Sequence, residues 1–419
     1  MLEEIYQIFQ ESLGINTDSR TIQPQQIFLA LKGENFNGNH YAKQAIAAGA
    51  IAAIVDEEVD GENIYRVENS LKFLQELAHF HRQQLDIPVI GLTGSNGKTT
   101  TKELIATALS PKFKVAFTQG NLNNHIGVPL TLLSIQKSHE MAVIEMGANH
   151  PEEIATLTRI AAPTHGYITN FGKAHLEGFG NLEGVIAAKS ELYDFLRINK
   201  AFAFVNADDA IQIQRTKNIK NLKFGFENPE VDYFFKPLKN SENATIEFRE
   251  TEINSHLTGH YNAINIAAAV SIALHFGVNL NSIKKAIENY WPQLNRSQIV
   301  KKEQLTIIMD SYNANPTSME VALKNLASKS GKRIAILGDM FELGRHAKSE
   351  HQKITDLAES LDLDEIFLLG ENFSQIQTQQ AKKFKSVNEF KNYLKENPLP
   401  PATILVKGSR GMTLEKIKF

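Results

Sequence analysis

The sequence contains no cysteine among its 419 residues. It therefore has no disulfide framework, no thiolate metal site and no thiol nucleophile, which fits a reducing compartment. An excess of charge of one sign is also lacking, since 44 Lys and Arg stand against 47 Asp and Glu and give a formal net charge of -3. A protein that binds nucleic acid irrespective of its sequence usually has a basic excess, so we expect no nucleic-acid partner.

Long apolar runs are equally scarce. The most apolar stretches, residues 45–55 and 266–276, fall short of the roughly 20 residues that a membrane span needs, and they indicate buried helix or strand. The segment from Met1 to Gln10 has two glutamates and lacks the basic start of a signal peptide. We therefore expect a cytoplasmic protein without a membrane span, and we expect it to be a monomer.

Short apolar runs that alternate with helical patterns indicate the fold class. These runs occupy residues 88–93, 141–145, 305–310, 333–338, 365–370 and 402–407. Continuous apolar runs are typical of strands buried on both faces, hence of parallel sheets, and their alternation with helices predicts an α/β protein. Proline-containing segments at 85–88 and 291–296 suggest two boundaries. The sequence thus predicts three domains, at residues 1–86, 87–295 and 296–419.

The segment Gly91-Leu-Thr-Gly-Ser-Asn-Gly-Lys-Thr-Thr-Thr101 joins an apolar strand to a helical pattern. Glycines allow backbone N–H groups to surround phosphate oxygens, and a helix N-terminus favours anions. Lys98 can reach the β- and γ-phosphates, and the Thr99 hydroxyl can bind Mg²⁺. Leu92 occupies the place of the first glycine of the strict pattern, so a plain glycine turn is the alternative. The candidate nucleotide-binding residues are Gly94, Ser95, Asn96, Gly97, Lys98, Thr99 and Thr100.

ATP is favoured over GTP as the nucleotide. The stretch Asn199-Lys-Ala-Phe202 resembles the guanine-reading Asn-Lys-x-Asp pattern, but it lacks the aspartate.

Other segments, read together with this loop, resemble the Mur ligases, the amide-forming ligases of peptidoglycan precursor synthesis. They are Thr17-Asp-Ser-Arg20, residues 28–38, residues 121–129, Glu145-Met-Gly-Ala-Asn149, residues 174–180, Asp310-Ser-Tyr-Asn-Ala-Asn-Pro316, residues 338–344 and Lys407-Gly-Ser-Arg-Gly411. The resemblance implies a central P-loop domain with a parallel sheet. An N-terminal α/β domain for the UDP-sugar and a C-terminal Rossmann-like domain would flank it.

The resemblance is strongest to the branch that joins D-alanyl-D-alanine to UDP-N-acetylmuramoyl-tripeptide. It implies that ATP phosphorylates the tripeptide's terminal carboxylate and that the dipeptide's amine then attacks the acyl phosphate. A carboxylate must approach a phosphate in this reaction, so crowded negative charge must be neutralised by Mg²⁺, a lysine and helix N-termini. The implied partners are ATP, UDP-N-acetylmuramoyl-tripeptide, D-alanyl-D-alanine and two Mg²⁺ ions.

The catalytic and metal-binding candidates lie in the middle of the chain. Glu145 ends an apolar strand, and carboxylate oxygens suit Mg²⁺, although a strand-end glutamate is often simply solvated. His175 and Lys189 would be a structural histidine and a surface lysine on sequence alone. The resemblance identifies Glu145 and His175 as metal ligands beside Thr99, and Lys189 as a lysine that carries a CO₂-derived carbamate next to the second metal. With Lys98, these residues form the expected catalytic set.

The remaining ATP contacts are also implied by the resemblance. Asn262 resembles the family's adenine-contacting asparagine, although Tyr261 stands between the usual His-Asn pair. Arg296 and Asp310 resemble residues that close the third domain onto ATP, the arginine on the phosphates and the aspartate near the ribose. A surface arginine and a helix-capping aspartate are the alternatives.

The other substrates are assigned to the outer domains. Strand ends of the third domain would converge on one rim if its sheet is parallel, and the resemblance gives this rim to D-alanyl-D-alanine, with Asn313 and Arg410 as contacts. A guanidinium at Arg410 can pair with the dipeptide's carboxylate. In the first domain, Ser19 and Arg20 suit the pyrophosphate and uracil oxygens, although Asp18-Ser19 could equally form a turn.

Two other classes stay open. A sister ligase that adds a diamino acid or glutamate, or a folylpolyglutamate synthase, would share the phosphate loop, but the diamino-acid enzyme has Asp-Tyr-Ala-His-x-Pro where this chain has Asp310-Ser-Tyr-Asn-Ala-Asn-Pro316. An ATP-hydrolysing switch would release phosphate without an acceptor, whereas a ligase needs both acceptor and dipeptide. Three domains that share one substrate also imply open and closed states.

Overall fold

The computed structural model describes residues 1–238, 243–259, 261–292 and 296–419. Within these ranges the chain forms three successive units, each built around a mainly or wholly parallel sheet. Residues 293–295, at the predicted second boundary, lie outside the described residues. In the described ranges, no helix combines the length and the apolar character that crossing a membrane would require.

The first unit contains a four-stranded parallel sheet in the order β1-β2-β5-β6. Every residue of β2 and β5 is buried, as expected for strands covered on both faces. The strands β3 and β4 form a separate antiparallel hairpin. The elements are α1 (Leu2–Glu11), β1 (Ile15–Asn16), β2 (Ile27–Leu29), β3 (Lys32–Gly33), β4 (Phe36–Asn37), a 3-10 turn (Gly38–Tyr41), α2 (Ala42–Ala47), β5 (Ala52–Val55), β6 (Ile64–Arg66) and α3 (Ser70–Gln83).

The second unit contains a seven-stranded parallel sheet in the order β13-β12-β11-β10-β7-β9-β8 and a three-stranded antiparallel sheet, β14-β15-β16. Its strands are β7 (Val89–Thr93), β8 (Val115–Phe117), β9 (Met141–Glu145), β10 (His165–Ile168), β11 (Phe202–Asn206), β12 (Lys220–Gly225), β13 (Tyr233–Phe234), β14 (Lys236–Pro237), β15 (Asn243–Phe248) and β16 (Thr251–Thr258). Its helices are α4 (Lys98–Leu109), α5 (Gly127–Leu133), α6 (Glu153–Ala161), α7 (Leu176–Phe179), α8 (Leu182–Ile198), α9 (Ala210–Arg215), α10 (Tyr261–His275) and α11 (Leu280–Glu288).

Strand β7 lies between β9 and β10 in the large sheet. Its register pairs Leu92 with Glu145 of β9, and Thr93 with Ile168 of β10. The three strands therefore end together at their carboxyl edge, where parallel sheets bind ligands. This arrangement places the loop at residues 94–97, Glu145 and the segment after β10 next to one another.

Helix α3 attaches the first unit to the second by packing against α5 and α6. His81 is central to this contact. Its Nδ1 lies 3.1 Å from the Tyr6 hydroxyl, and its Nε2 donates to the Ile135 carbonyl at 2.9 Å. Arg82 donates from Nε to the Ala161 carbonyl at 3.1 Å. Ala161 is the last residue of α6, and the C-terminus of a helix favours a nearby cation. One continuous apolar core joins the two units.

The third unit contains a six-stranded sheet in the order β17-β18-β22-β19-β20-β21, parallel except for the edge pair β17–β18. Asn315 caps α12, with its side chain accepting from the Ser318 N–H, and Pro316 follows it. The elements are β17 (Gln298–Lys302), β18 (Leu305–Asp310), α12 (Pro316–Ala327), β19 (Arg333–Gly338), α13 (Ala347–Ser360), β20 (Glu365–Leu369), α14 (Glu371–Ser374), β21 (Lys382–Phe384), α15 (Val387–Glu396), β22 (Ala402–Lys407) and 3-10 turns at Gly344–His346, Arg410–Met412 and Leu414–Lys416.

The predicted α/β class and parallel sheets are confirmed. All six apolar runs form strands, and the run at 305–310 coincides with β18. Asp310, Gly338, Gly370 and Lys407 follow or end neighbouring parallel strands, so they converge on one rim as expected.

Candidate active-site cleft

A cleft of about 1230 Å³ lies between the second and third units. It joins the carboxyl edge of the large parallel sheet to the rim of the third sheet. Most of the residues predicted for ATP, metal and dipeptide line this one cleft. They are Ser95, Asn96, Gly97, Lys98, Thr99, Thr100, Glu145, His175, Asn262, Arg296, Asp310 and Asn313.

The loop at residues 94–97 is held in one conformation by the segment after β10. Gly94 has a φ of +145°, and a Cβ there would lie 2.0 Å from the Thr169 hydroxyl, so only glycine fits. The Thr169 hydroxyl donates to the Asn96 carbonyl at 2.6 Å, and the Ser95 hydroxyl donates to the Gly172 carbonyl at 2.9 Å. These hydrogen bonds tie the loop to the segment after β10.

Lys98 begins α4 and folds back over this loop. Its Nζ donates to the Gly94 carbonyl at 2.8 Å. Burial lowers the pKa of Lys98, and the nearby Glu145 carboxylate opposes that shift. A bound phosphate would act in the same sense as Glu145 and favour the ammonium. Lys98 is therefore placed to meet an anionic group beside the loop.

Glu145 is 1% exposed at the end of β9. Its Oε1 accepts from the Thr99 hydroxyl at 3.2 Å and from Asn123 Nδ2 at 2.7 Å. Its Oε2 is buried and has no hydrogen-bond partner among the described residues. A buried carboxylate oxygen without a donor is costly unless a cation binds it. The oxygen donors of Glu145 and Thr99 therefore fit one Mg²⁺ ion.

His175 and Lys189 both lie near the ring of Phe179. His175, at φ 51°, lies with Nδ1 2.5 Å from Oε2 of Glu342, which comes from the third unit. This contact with the His175 ring is the main cause that lowers the pKa of Glu342. Lys189 is fully buried in α8, donates to the Ala148 carbonyl at 3.0 Å and lies 5.1 Å from the centroid of the Phe179 ring.

Burial, reinforced by the charge of Lys98, lowers the pKa of Lys189 well below its ordinary value. The neutral amine is the form that reacts with CO₂, whereas an ammonium cannot bind a metal. Searching the described ranges, we find no cluster of three or more His, Cys, Asp or Glu side chains arranged to hold a metal ion. The residues present fit one ion, at Glu145 and Thr99.

Asp310 is fixed at the opposite wall of the cleft. Its Oδ2 accepts from Lys407 Nζ at 2.6 Å, and its Oδ1 accepts from the Ser297 N–H at 3.1 Å. Lys407 is 2% exposed and also donates to the Asn313 carbonyl at 3.2 Å. Lys407 was not among the predicted site residues, although the Lys407-Gly-Ser-Arg segment had been singled out.

Asn262 is buried and held from both sides. Its Nδ2 donates to the Thr258 carbonyl at 2.8 Å, and its Oδ1 accepts from Asn265 Nδ2 at 2.8 Å. Asn123, a half-buried partner of Glu145, was also missed, although the segment at 121–129 that contains it had been recognised. The side-chain amide of Asn123, a donor that can bind a carboxylate, was the sequence feature that could have indicated this role.

Several contacts cross from the second unit to the third. Asn315 Nδ2 donates to Asn96 Oδ1 at 2.7 Å. Lys173 and Glu350 form an ion pair at 3.1 Å, in addition to the pair of His175 with Glu342. The open and closed states expected from the sequence stay a prediction.

Ser19 and Arg20 lie away from this cleft. Arg20 is 85% exposed and pairs with Asp18 at 2.7 Å. A second cavity of about 480 Å³ occurs in the same unit, and its lining does not include Ser19 or Arg20. It is formed by Lys32, Gly33, Glu34, Asn35, Phe36, Asn37, His40 and Tyr41, which overlap the recognised segment at 28–38. Gly94, Lys189 and Arg410 likewise do not line the large cleft.

Three protein families match successive parts of the chain. The family described as Mur ligase family, catalytic domain matches residues 12–82. The Mur ligase middle domain matches residues 92–273, and the Mur ligase, glutamate ligase domain matches residues 295–410.

Relatives and solved structures cover nearly the whole chain. The UDP-N-acetylmuramoyl-tripeptide–D-alanyl-D-alanine ligase of Bacillus subtilis is 34% identical over 96% of this chain and 92% of its own length. A crystal structure of MurF from Acinetobacter baumannii has a TM-score of 0.88 and 32% identity, covering 100% of this chain and 97% of that one. MurF of Thermotoga maritima in complex with ADP has a TM-score of 0.86 and 27% identity, covering 98% and 96%.

Proposed function

The chain belongs to the Mur ligase family, and we propose that it joins D-alanyl-D-alanine to UDP-N-acetylmuramoyl-tripeptide at the expense of ATP in peptidoglycan precursor synthesis. The observation that carries this proposal is similarity over 96% of the chain to a ligase of that name. The resemblance to the Mur ligases predicted from the sequence is confirmed. Most of the residues predicted for ATP, for metal and for the dipeptide line one cleft, as such a ligation requires.

In the proposed reaction the tripeptide's terminal carboxylate is phosphorylated by ATP, and the dipeptide's amine displaces phosphate from the resulting acyl phosphate. The difficulty is that an anionic carboxylate must approach anionic phosphates. Lys98 at the N-terminus of α4 places an ammonium at that point, and Arg296 adds a second cation in the cleft. Both groups stabilise negative charge without forming a covalent bond.

Glu145 and Thr99 are the residues proposed to hold Mg²⁺. A bound Mg²⁺ supplies positive charge that offsets the repulsion between carboxylate and phosphates. Asn123 keeps Oε1 of Glu145 oriented while Oε2 stays without a protein donor among the described residues. His175 and a carbamylated Lys189 are proposed to hold a second ion, since burial favours the neutral amine that carbamylation needs.

The proposed division of labour follows the three units. Residues 1–86 would bind the uridine diphosphate part through Ser19 and Arg20, residues 87–295 would bind ATP through the phosphate loop and Asn262, and residues 296–419 would bind the dipeptide. Asp310 is proposed to contact the ribose, since its two oxygens are already fixed by Lys407 and Ser297. Asn313 and Arg410 are proposed for the dipeptide.

The test is phosphate release from Mg²⁺-ATP with UDP-N-acetylmuramoyl-tripeptide, with and without D-alanyl-D-alanine. We expect release only with all three substrates, together with a product whose mass has grown by the dipeptide less water. Release with glutamate or a diamino acid in place of the dipeptide would instead identify a sister ligase. Release without any acceptor would identify an ATP-hydrolysing switch.

A matched pair of lysine variants shows whether the cleft performs the reaction. Lys98→Met removes the ammonium beside the phosphate loop, and we expect it to abolish dipeptide-dependent release. Lys112→Met removes an ammonium that contacts the carbonyls of Phe276 and Gly277 outside the cleft, and we expect full activity. Equal activity of the two variants would contradict the placement of the active site.

A further inference from the structure

Tyr312 lies between two arginines in the third unit. The guanidinium carbon of Arg296 is 3.5 Å from the centroid of the Tyr312 ring. The guanidinium carbon of Arg410 is 5.0 Å from the same centroid, and Arg410 Nη1 donates to the Tyr312 hydroxyl at 3.2 Å. One side chain thus contacts both cations, one through its ring alone and the other through its ring and its hydroxyl.

The guanidinium of Arg296 lies close over the Tyr312 ring and is partly buried. Its Nε is buried and has no hydrogen-bond partner among the described residues, although the residue lines the cleft. When a guanidinium stacks on an aromatic ring, its N–H groups point outward in the plane of the guanidinium, where they remain available to an anion. The ring of Tyr312 therefore sets the orientation in which Arg296 meets a phosphate.

The Arg410 contact differs in kind. Arg410 is exposed and does not itself line the cleft, whereas Tyr312 does. A long exposed side chain loses rotational freedom when it is held in one conformation. The Tyr312 hydroxyl offers a fixed acceptor that offsets this cost and holds Arg410 at the edge of the cleft.

We propose that Tyr312 is a positioning residue that orients Arg296 for the nucleotide and Arg410 for the dipeptide carboxylate, so that one side chain couples the two sites. This inference rests on the proposed ligation. It assigns separate tasks to two parts of the residue: the ring serves both substrates, and the hydroxyl serves the dipeptide alone.

Two substitutions separate these tasks. Tyr312→Phe keeps the ring and removes the hydroxyl, and we expect the KM for D-alanyl-D-alanine to rise about three- to tenfold while the KM for ATP stays within about twofold. Tyr312→Leu removes both, and we expect the KM for ATP to rise about five- to thirtyfold as well. Unchanged constants in Tyr312→Leu, or a rise in the KM for ATP in Tyr312→Phe equal to that for the dipeptide, would overturn the proposal.

Tyr393 provides a matched control in the same unit. Lys382 donates to its hydroxyl at 3.0 Å and lies 5.5 Å from its ring centroid, and Tyr393 does not line the cleft. Tyr393→Phe and Tyr393→Leu therefore remove equivalent contacts from the third unit at a position outside the cleft. We expect both to retain wild-type values of KM. A rise equal to that of the Tyr312 variants would mean that destabilisation alone explains them.

A double-mutant cycle tests the link to Arg410 even if Tyr312→Leu does not fold. Arg410→Met and Tyr312→Phe should each raise the KM for the dipeptide, and their combination should raise it no further than Arg410→Met alone. If the two rises in KM multiplied in the double variant, the coupling would be overturned.

A wild-type protein without dipeptide-dependent phosphate release would refute the proposed function instead. The stack could then still be judged by binding of a non-hydrolysable ATP analogue, which Tyr312→Leu should weaken and Tyr312→Phe should not.

Discussion

Asn315 Nδ2 donates to Asn96 Oδ1 at 2.7 Å, across 219 residues of sequence. Asn96 lies in the loop at residues 94–97, and Asn315 caps α12 of the third unit. The Oδ1 of the same Asn315 accepts from the Ser318 N–H at 2.9 Å and caps that helix. One side chain therefore stabilises its own helix with its oxygen and joins the two units with its nitrogen.

Replacing Asn315 separates the two contributions. Asn315→Ser keeps an oxygen for the cap and removes the donor to Asn96, whereas Asn315→Ala removes both. We expect the free energy of unfolding to change by less than about 0.5 kcal/mol in the serine variant and to fall by about 1 kcal/mol in the alanine variant. We expect kcat/KM for ATP to fall about three- to tenfold in both. Urea denaturation and steady-state kinetics measure the two effects, and wild-type kinetics in Asn315→Ser would show that the contact between the units is not needed.

Glu145→Gln tests the proposed Mg²⁺ site. An amide of the same shape can still accept from Thr99 and Asn123 through its oxygen, but it lacks the charge that binds a hard cation. We expect the Mg²⁺ concentration for half-maximal activity to rise at least about tenfold. Without Mg²⁺, we expect the variant to be no less stable than the wild type, because a neutral amide costs less to bury than a carboxylate whose Oε2 has no donor among the described residues. Activity measured against Mg²⁺ concentration, with melting curves in EDTA, checks both points, and an unchanged Mg²⁺ requirement would exclude this site.

Lys189→Ala tests the proposed carbamate. The substitution removes the buried nitrogen that burial makes easier to deprotonate, so we expect activity to be lost. Formate or acetate entering the vacated space should restore part of it, because either supplies the carboxylate that the carbamate would have provided. Lys102→Ala is the control, since Lys102 is also buried but donates to the Thr118 carbonyl, and its activity should not respond to formate. The absence of rescue under any condition would count against the modification.

The parts of the site that were predictable from the sequence are those that depend on neighbours in the chain. Lys98 was predictable because it follows the loop after one apolar strand, and Glu145 because it ends another. Parallel strands bring such ends to one edge of the sheet. The pairs Asn96–Asn315 and His175–Glu342 depend instead on how two units close on each other, which no local pattern encodes. The helix cap of Asn315 depends on its sequence neighbours Pro316 and Ser318, whereas its second contact lies 219 residues away.

A different limit applies to the first unit. Within the segment Thr17-Asp-Ser-Arg20, the Arg20 guanidinium pairs with the Asp18 carboxylate. The residue types that suggest a pyrophosphate site therefore also suit a turn. The cavity of that unit is lined by the hairpin of β3 and β4 and the 3-10 turn that follows. Short strands of two residues leave too little periodicity for their position to be predicted.

His165 at the start of β10 makes stability depend on pH. It packs among the rings of Phe202, Phe204, Phe276 and His275, and its Nδ1 lies 2.9 Å from the Thr164 hydroxyl. Burial, with a smaller effect of the His275 charge, lowers the pKa of His165 to about 4. Because the unfolded chain binds the proton more readily, the contribution to stability is present above the ordinary pKa of about 6.5 and is lost as the pH falls towards 4.

The substitution His165→Phe removes this titration while keeping a ring in the aromatic cluster. The pKa of His275 is also lowered, chiefly by burial and then by Lys220, so we expect the variant to keep part of the pH dependence. Between pH 7 and pH 4.5, the wild type should lose roughly 2 kcal/mol more of its free energy of unfolding than the variant does. Urea denaturation at pH 7, 5.5 and 4.5 gives the two slopes, and because every other histidine and carboxylate is shared, their difference belongs to His165. Parallel slopes would show that His165 titrates normally in the folded protein.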